Sequence, residues 1–204
     1  ELFEENIKSY PVLLPTVVDR DIEQLWHLLL HNGTIWRWNR PLIGTEASNF
    51  HLRIEQRVVP AGPTVIDLIA NAAFYFGLTH SLANQANAPE SDISFAAVKK
   101  DFYQVARDGL RAIIHWPGEH RVCVRELLLE QLIPQARSGL LSLGVNQMDV
   151  DKYLGVIRDR VDSNQNGAGW QRKYVKAHQC NMQQLTEQYL KNQQTGEPVH
   201  TWPI

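Results

Sequence analysis

The sequence predicts an α+β fold that is mostly helical: a small antiparallel sheet portion, part of an incomplete catalytic sheet, packed on a long buried helix and followed by a helical region. Three observations predict it. Two neighbouring segments, TIWRWNRPLI (34–43) and HLRIEQRVV (51–59), concentrate β-branched and aromatic residues as strands do. A stretch of helical length, VIDLIANAAFYFGLTHSL (65–82), is almost wholly apolar. From Glu126 onward, apolar residues recur at helical spacing to the tail.

The elements follow in order. ELFEENIKSY (1–10) reads as an amphipathic helix ended by Pro11 and Pro15. Asp19 or Asp21 caps a second helix through IEQLWHLLLH, which stops at Gly33. The two strands come next, separated by the polar GTEASNF, and Pro60, Gly62 and Pro63 close the second. Thr64 with Asp67 three residues later resembles a capping box opening the long apolar helix, whose alanines predict burial on more than one side. After the polar break NQANAPES, SFAAVKKDFYQVARDGL (94–110) reads as a helix. RAIIHW and HRVCVR form a hairpin around Pro117-Gly118. A helix over 125–143 stops at Gly144, another over 148–161 ends near Asn166-Gly167, and two more, 170–179 and 182–194, lead into TGEPVHTWPI. This organisation predicts residues 1–88 as the carboxyl-terminal part of a catalytic domain and 89–204 as a helical region with a short hairpin.

Composition narrows the functional classes. The 204 residues are 44% hydrophobic and 21% charged, within the range of globular domains rather than disordered chains. Twenty basic and 22 acidic side chains leave a formal charge of -2, which gives no electrostatic case for a nucleic-acid or membrane-surface partner. Cys123 and Cys180 are too few and too far apart for a disulfide framework or zinc knuckle. No apolar run approaches the roughly 20 residues of a membrane span, and the acidic first residues are no signal peptide. A cytoplasmic setting is expected. The chain starts at Glu1, and its only methionines are Met148 and Met182, so a segment of a longer protein is expected.

The sharpest chemical feature is Arg53-Ile54-Glu55-Gln56-Arg57. Strand side chains alternate, so Arg53, Glu55 and Arg57 share one face in a row about 13 Å long. A carboxylate is a hard oxygen ligand suited to magnesium, and guanidiniums grip phosphate or carboxylate oxygens in bidentate fashion. Plus-minus-plus therefore suits a nucleotide triphosphate with its metal. The preceding strand adds Arg37 and Asn39 on one face, and Trp36, Trp38 and Arg40 on the other. The plainer reading is a solvated strand face, on which such ion pairs contribute 0 to about 1 kcal/mol.

RIEQRVVPAGPTVIDLIANAAFYFGL resembles the strand-then-helix signature of the glutamine synthetase superfamily: an Arg-hydrophobic-Glu-x-Arg strand, a proline-containing turn and an alanine-rich buried helix. NGTIWRWNRPLIG, HLRIEQRVVPAGPT, DFYQVARDGL and TGEPVHTWP are similar to the glutamate–cysteine ligase (carboxylate–amine ligase) branch. The resemblance implies the carboxyl-terminal segment of a cytoplasmic, ATP-dependent ligase of glutathione biosynthesis. Such an enzyme joins glutamate to an amine such as cysteine through an acyl phosphate. It implies Glu55 as a ligand of a catalytic Mg2+ or Mn2+, Arg53 facing the ATP phosphates, and Arg57 on the transferring phosphoryl group or the substrate carboxylate. Arg37 would take a similar anion-binding part. The family's other metal carboxylates come from earlier strands and have no counterpart here. The expected partners are therefore the missing amino-terminal part of the same protein, with neither nucleic acid nor membrane and with homo-oligomerisation possible; the segment alone is expected to be inactive. The alternative is a non-catalytic helical interaction or regulatory domain, in which the charged row pairs with local groups such as Asp67 or Glu46.

Other candidates carry less. His27 and His31 stand four apart without the acidic partner of a HExxH motif. His51 opens the charged strand. His80, His115, His120, His178 and His200 form no spaced cluster. Cys123 in RVCV reads as a small buried hydrophobe. Ser94, Ser138 and Ser142 lack a Gly-x-Ser-x-Gly setting, and NGAGW lacks the lysine of a phosphate loop.

Overall fold

The computed structural model describes residues 2–11, 26, 29–30, 38–46, 49–87 and 89–204. It bears out the mostly helical α+β class, and the chain divides into two compact units, Glu1–Pro60 and Ala61–Ile204. The apolar helix after Thr64 belongs to the core of the second.

In the first unit, helix α1 (Leu2–Ser9) and strands β1 (Asn39–Glu46) and β2 (Asn49–Gln56) are described. The remainder of the second expected helix lies outside the described residues, with its Asp19, Asp21 and Gly33 signals. β1 and β2 pair antiparallel, with Arg40 opposite Glu55, Pro41 opposite Ile54 and Leu42 opposite Arg53. The polar GTEASNF, expected to separate the strands, instead supplies their ends: β1 runs three residues past Ile43 to Glu46, and β2 begins two residues before His51, at Asn49. Pro41 has no N–H to donate, which a two-stranded sheet tolerates because each strand is an edge. Past β2, the Arg57 N–H donates to the Trp38 carbonyl at 2.8 Å and extends the hairpin by one bond.

The second unit is built on three packed helices. α2 (Val65–Ala83) lies against α5 (Ile133–Ser142) and α6 (Gln147–Ser163), around Ala70, Ile133, Ala136, Leu140, Val150 and Leu154. α2 and α5 approach backbone to backbone. A Cβ on Gly77 would land on the Ala136 carbonyl oxygen, and one on Gly139 would land on that of Gly77. Glycine is required there by contact, not by dihedral angle. Packing of α2 is one-sided: Val65 (78% exposed), Leu68, Ile69 and Phe76 (61%) face outward, where the composition had predicted burial on more than one side. By length and composition α2 also passes the test for a membrane span, correcting the expectation that no run does. Here its inward face is a protein core.

A second cluster closes the carboxyl-terminal end. Asn166 and Asn181 cap α7 (Gly167–His178) and α8 (Met182–Gln194), the latter with a full capping box through Gln184. Trp170, from α7, stacks on Tyr174 and meets Trp202 and Tyr189 edge to face. Trp170 Nε1 donates to the Pro203 carbonyl at 2.8 Å, and Gln165 Nε2 donates to the Val199 and Trp202 carbonyls at 3.1 and 2.9 Å. The tail is thereby sewn into the fold.

The junction of the two clusters is Asp67, fully buried. Thr64 caps α2 as expected, its Oγ1 accepting the Asp67 N–H at 3.4 Å. The reciprocal half of the box is diverted. Asp67 Oδ2 accepts from Thr64 Oγ1 at 2.9 Å and from the Val199 N–H at 3.0 Å, tying the tail to the start of α2. Its Oδ1 faces Arg160 Nε of α6 at 3.5 Å, an ion pair rather than a hydrogen bond. Arg160 also donates to the Asp67 carbonyl at 3.2 Å and to Asn71 Oδ1 at 2.8 Å. Burial lowers the pKa of the Arg160 guanidinium from its ordinary value, and the Asp67 charge opposes that shift. Burial also raises the Tyr189 phenol, with Asp67 adding to the shift.

Between these clusters, α3 (Phe95–Asp108) is capped by Ser94 and ends at Gly109, and the hairpin β3 (Ile113–Trp116) and β4 (Glu119–Cys123) packs on it. The expected helix over 125–143 runs without interruption from Val124 to Ser142, as α4 (Val124–Leu127), a π-helical turn (Leu128–Leu132) and α5. Pro134 explains the π turn: it has no N–H to return to the preceding turn, and the widened turn absorbs the loss.

Two stability outcomes follow from this packing. Gly139→Leu overpacks the α2–α5 crossing and lowers the unfolding free energy by about 1–3 kcal/mol or more, read by chemical denaturation. Asp67→Ala leaves a buried guanidinium unpaired and costs about 3–5 kcal/mol, whereas Asp67→Leu combined with Arg160→Met recovers much of that loss. A double-mutant cycle with zero coupling between positions 67 and 160 contradicts the pairing.

Candidate functional site

Strand β2 presents the charged row in the expected order. Alternation sets Arg53 and Glu55 on one face and Leu52 (76% exposed) and Ile54 (64%) on the other. Arg57 lies just past the strand, still held to β1 through Trp38. Its Nε is 3.5 Å from Glu55 Oε2, with the two side chains about one-third accessible, 35% and 31%. Two of the three charges are thus in contact, and Arg53 is exposed beside them.

The register revises which residue of β1 stands nearest. Arg40 is at the position opposite Glu55, while Asn39, which the sequence groups with Arg37, is opposite Gln56. Arg37 lies outside the described residues, as do His27 and His31. The suggested local partner Asp67 is committed to Thr64, Val199 and Arg160.

Glu55 is a hard oxygen donor, and magnesium accepts one or two carboxylates together with phosphate oxygens and water. Among the described residues no group of three or more His, Cys, Asp and Glu side chains gathers to hold a metal ion. The described row offers a single carboxylate, Glu55, paired with the Arg57 guanidinium and beside that of Arg53.

The structure also joins residues that the sequence left apart. Asp101 of α3 is buried, and its Oδ2 accepts both the backbone N–H and the ring Nδ1 of His115, each at 2.8 Å. Nothing in a separation of 14 residues marks this pair. The signal is the buried position of Asp101 on α3 combined with the hairpin fold-back. Burial works against ionisation of Asp101, yet the hydrogen bonds from His115 and the charges of His115 and Arg121 hold its carboxyl below the usual range. The Cys123 thiol donates to the Leu110 carbonyl at 3.4 Å and is half-buried rather than buried as expected. Between α7 and α8 an open groove of about 560 Å³ is lined by Tyr174, His178, Cys180, Glu187 and Lys191. The Tyr174 and His178 rings meet there at a tilt, with centroids 4.4 Å apart.

Comparison with protein-family models, with curated proteins and with solved structures finds no match. The functional reading rests on the residues themselves.

A carboxyl held below its unfolded pKa stabilises the fold above about pH 4 and ceases to do so as pH falls through the folded value. The stability of the wild type accordingly declines on acidification below about pH 4. Asp101→Asn is less stable at pH 7 and shows a shallower decline, measured by urea denaturation across pH 3–7. Identical slopes for the two proteins remove Asp101 from the acid transition.

Proposed function

We propose that this chain is a segment of an ATP-dependent carboxylate–amine ligase similar to glutamate–cysteine ligase, with the Arg53–Glu55–Arg57 row as its contribution to the reaction centre. The observation carrying this reading is the row itself: a carboxylate and a guanidinium 3.5 Å apart, with a second guanidinium two residues away on the same strand face. Strand β2 followed by the alanine-bearing helix α2 is the order of elements that the resemblance implies, and it supports this reading. The exposed Leu52 and Ile54 on the opposite face support a hairpin whose apolar side belongs under further sheet or helix.

The chemistry needs these residue types. An amine does not displace oxide from a carboxylate. Transfer of the ATP γ-phosphoryl group to the glutamate γ-carboxylate oxygen releases ADP and gives an acyl phosphate; amine attack on its carbonyl carbon then releases phosphate. Phosphoryl transfer is aided chiefly by alignment and by cations where charge develops. A magnesium ion bound there would neutralise phosphate oxygens. Glu55 supplies a carboxylate to hold it, Arg53 grips the nucleotide phosphates, and Arg57 neutralises the transferring group. The contact with Glu55 orients Arg57 before substrate arrives. Arg37 is proposed as an additional anion contact.

In the complete enzyme, Glu55→Gln abolishes magnesium- and glutamate-dependent ADP release. Arg57→Lys lowers it by about 10²-fold, because an ammonium keeps the charge but loses the bidentate fork. Turnover unchanged by Glu55→Gln overturns the metal role. The 204-residue chain assayed alone gives no ligase turnover while its circular dichroism is helical. Turnover by it shows that the further metal ligands are not needed.

A further inference from the structure

We draw no further inference here: the strongest candidate, the outward apolar face of helix α2 formed by Val65, Leu68, Ile69 and Phe76, is exposed in the helical unit, and nothing in the structure shows what covers it.

Discussion

The helical unit depends on where the charge of Asp67 goes. A fully buried carboxylate three residues into a helix is tolerable only if its charge and lone pairs are answered locally. Three groups answer it: Thr64 at the cap three residues earlier and, from segments distant in sequence, Arg160 of α6 and the Val199 amide of the tail. Each partner is constrained by the others. Replacing the pair by hydrocarbon of equal volume need not weaken the fold, but removing one member strands the other in a medium that cannot solvate it. The pair therefore sets how α2, α6 and the tail sit together more than it adds net stability.

The close crossing of α2 and α5 applies a second, steric constraint. Gly77 and Gly139 let the two backbones meet where any side chain would wedge them apart. With the crossing fixed by small residues and the α6 contact fixed by Asp67 and Arg160, the three helices have little freedom to slide. The aromatic cluster of Trp170, Tyr174, Tyr189 and Trp202 then gives the tail a reason to fold back, since the indole N–H groups of Trp170 and Trp202 both find carbonyl acceptors near the tail. The outer side of α2 has no such constraint and stays apolar and exposed.

The hairpin unit is of another kind. Among its described residues Leu52, Arg53 and Ile54 are exposed on the two faces of β2, and a two-stranded ribbon by itself is marginally stable. What it offers is chemistry: a compact alternation of guanidinium, carboxylate and guanidinium, two of them already in contact. In water such an ion pair stabilises little. Where water is excluded, the same groups interact far more strongly.

Sequence alone determined the local features. Alternation placed Arg53 and Glu55 on one strand face, and Thr64 reads as a cap from spacing. Gly109 and Asn164 stop helices through positive φ, as short-range backbone sterics require. Periodicity gave the helices but could not say that α2 buries only one side, because an apolar helix looks the same from every direction until its neighbours are placed. Tertiary structure decided the long-range pairings: Asp67 with Arg160, Asp101 with His115, Gly77 against Gly139, and Arg40 rather than Asn39 opposite Glu55. It also opened the expected helix into a π turn ahead of Pro134. Local sterics and hydrogen bonding act over three or four residues and are written in the order of the chain, whereas buried charge pairs and strand register depend on segments that meet only after folding.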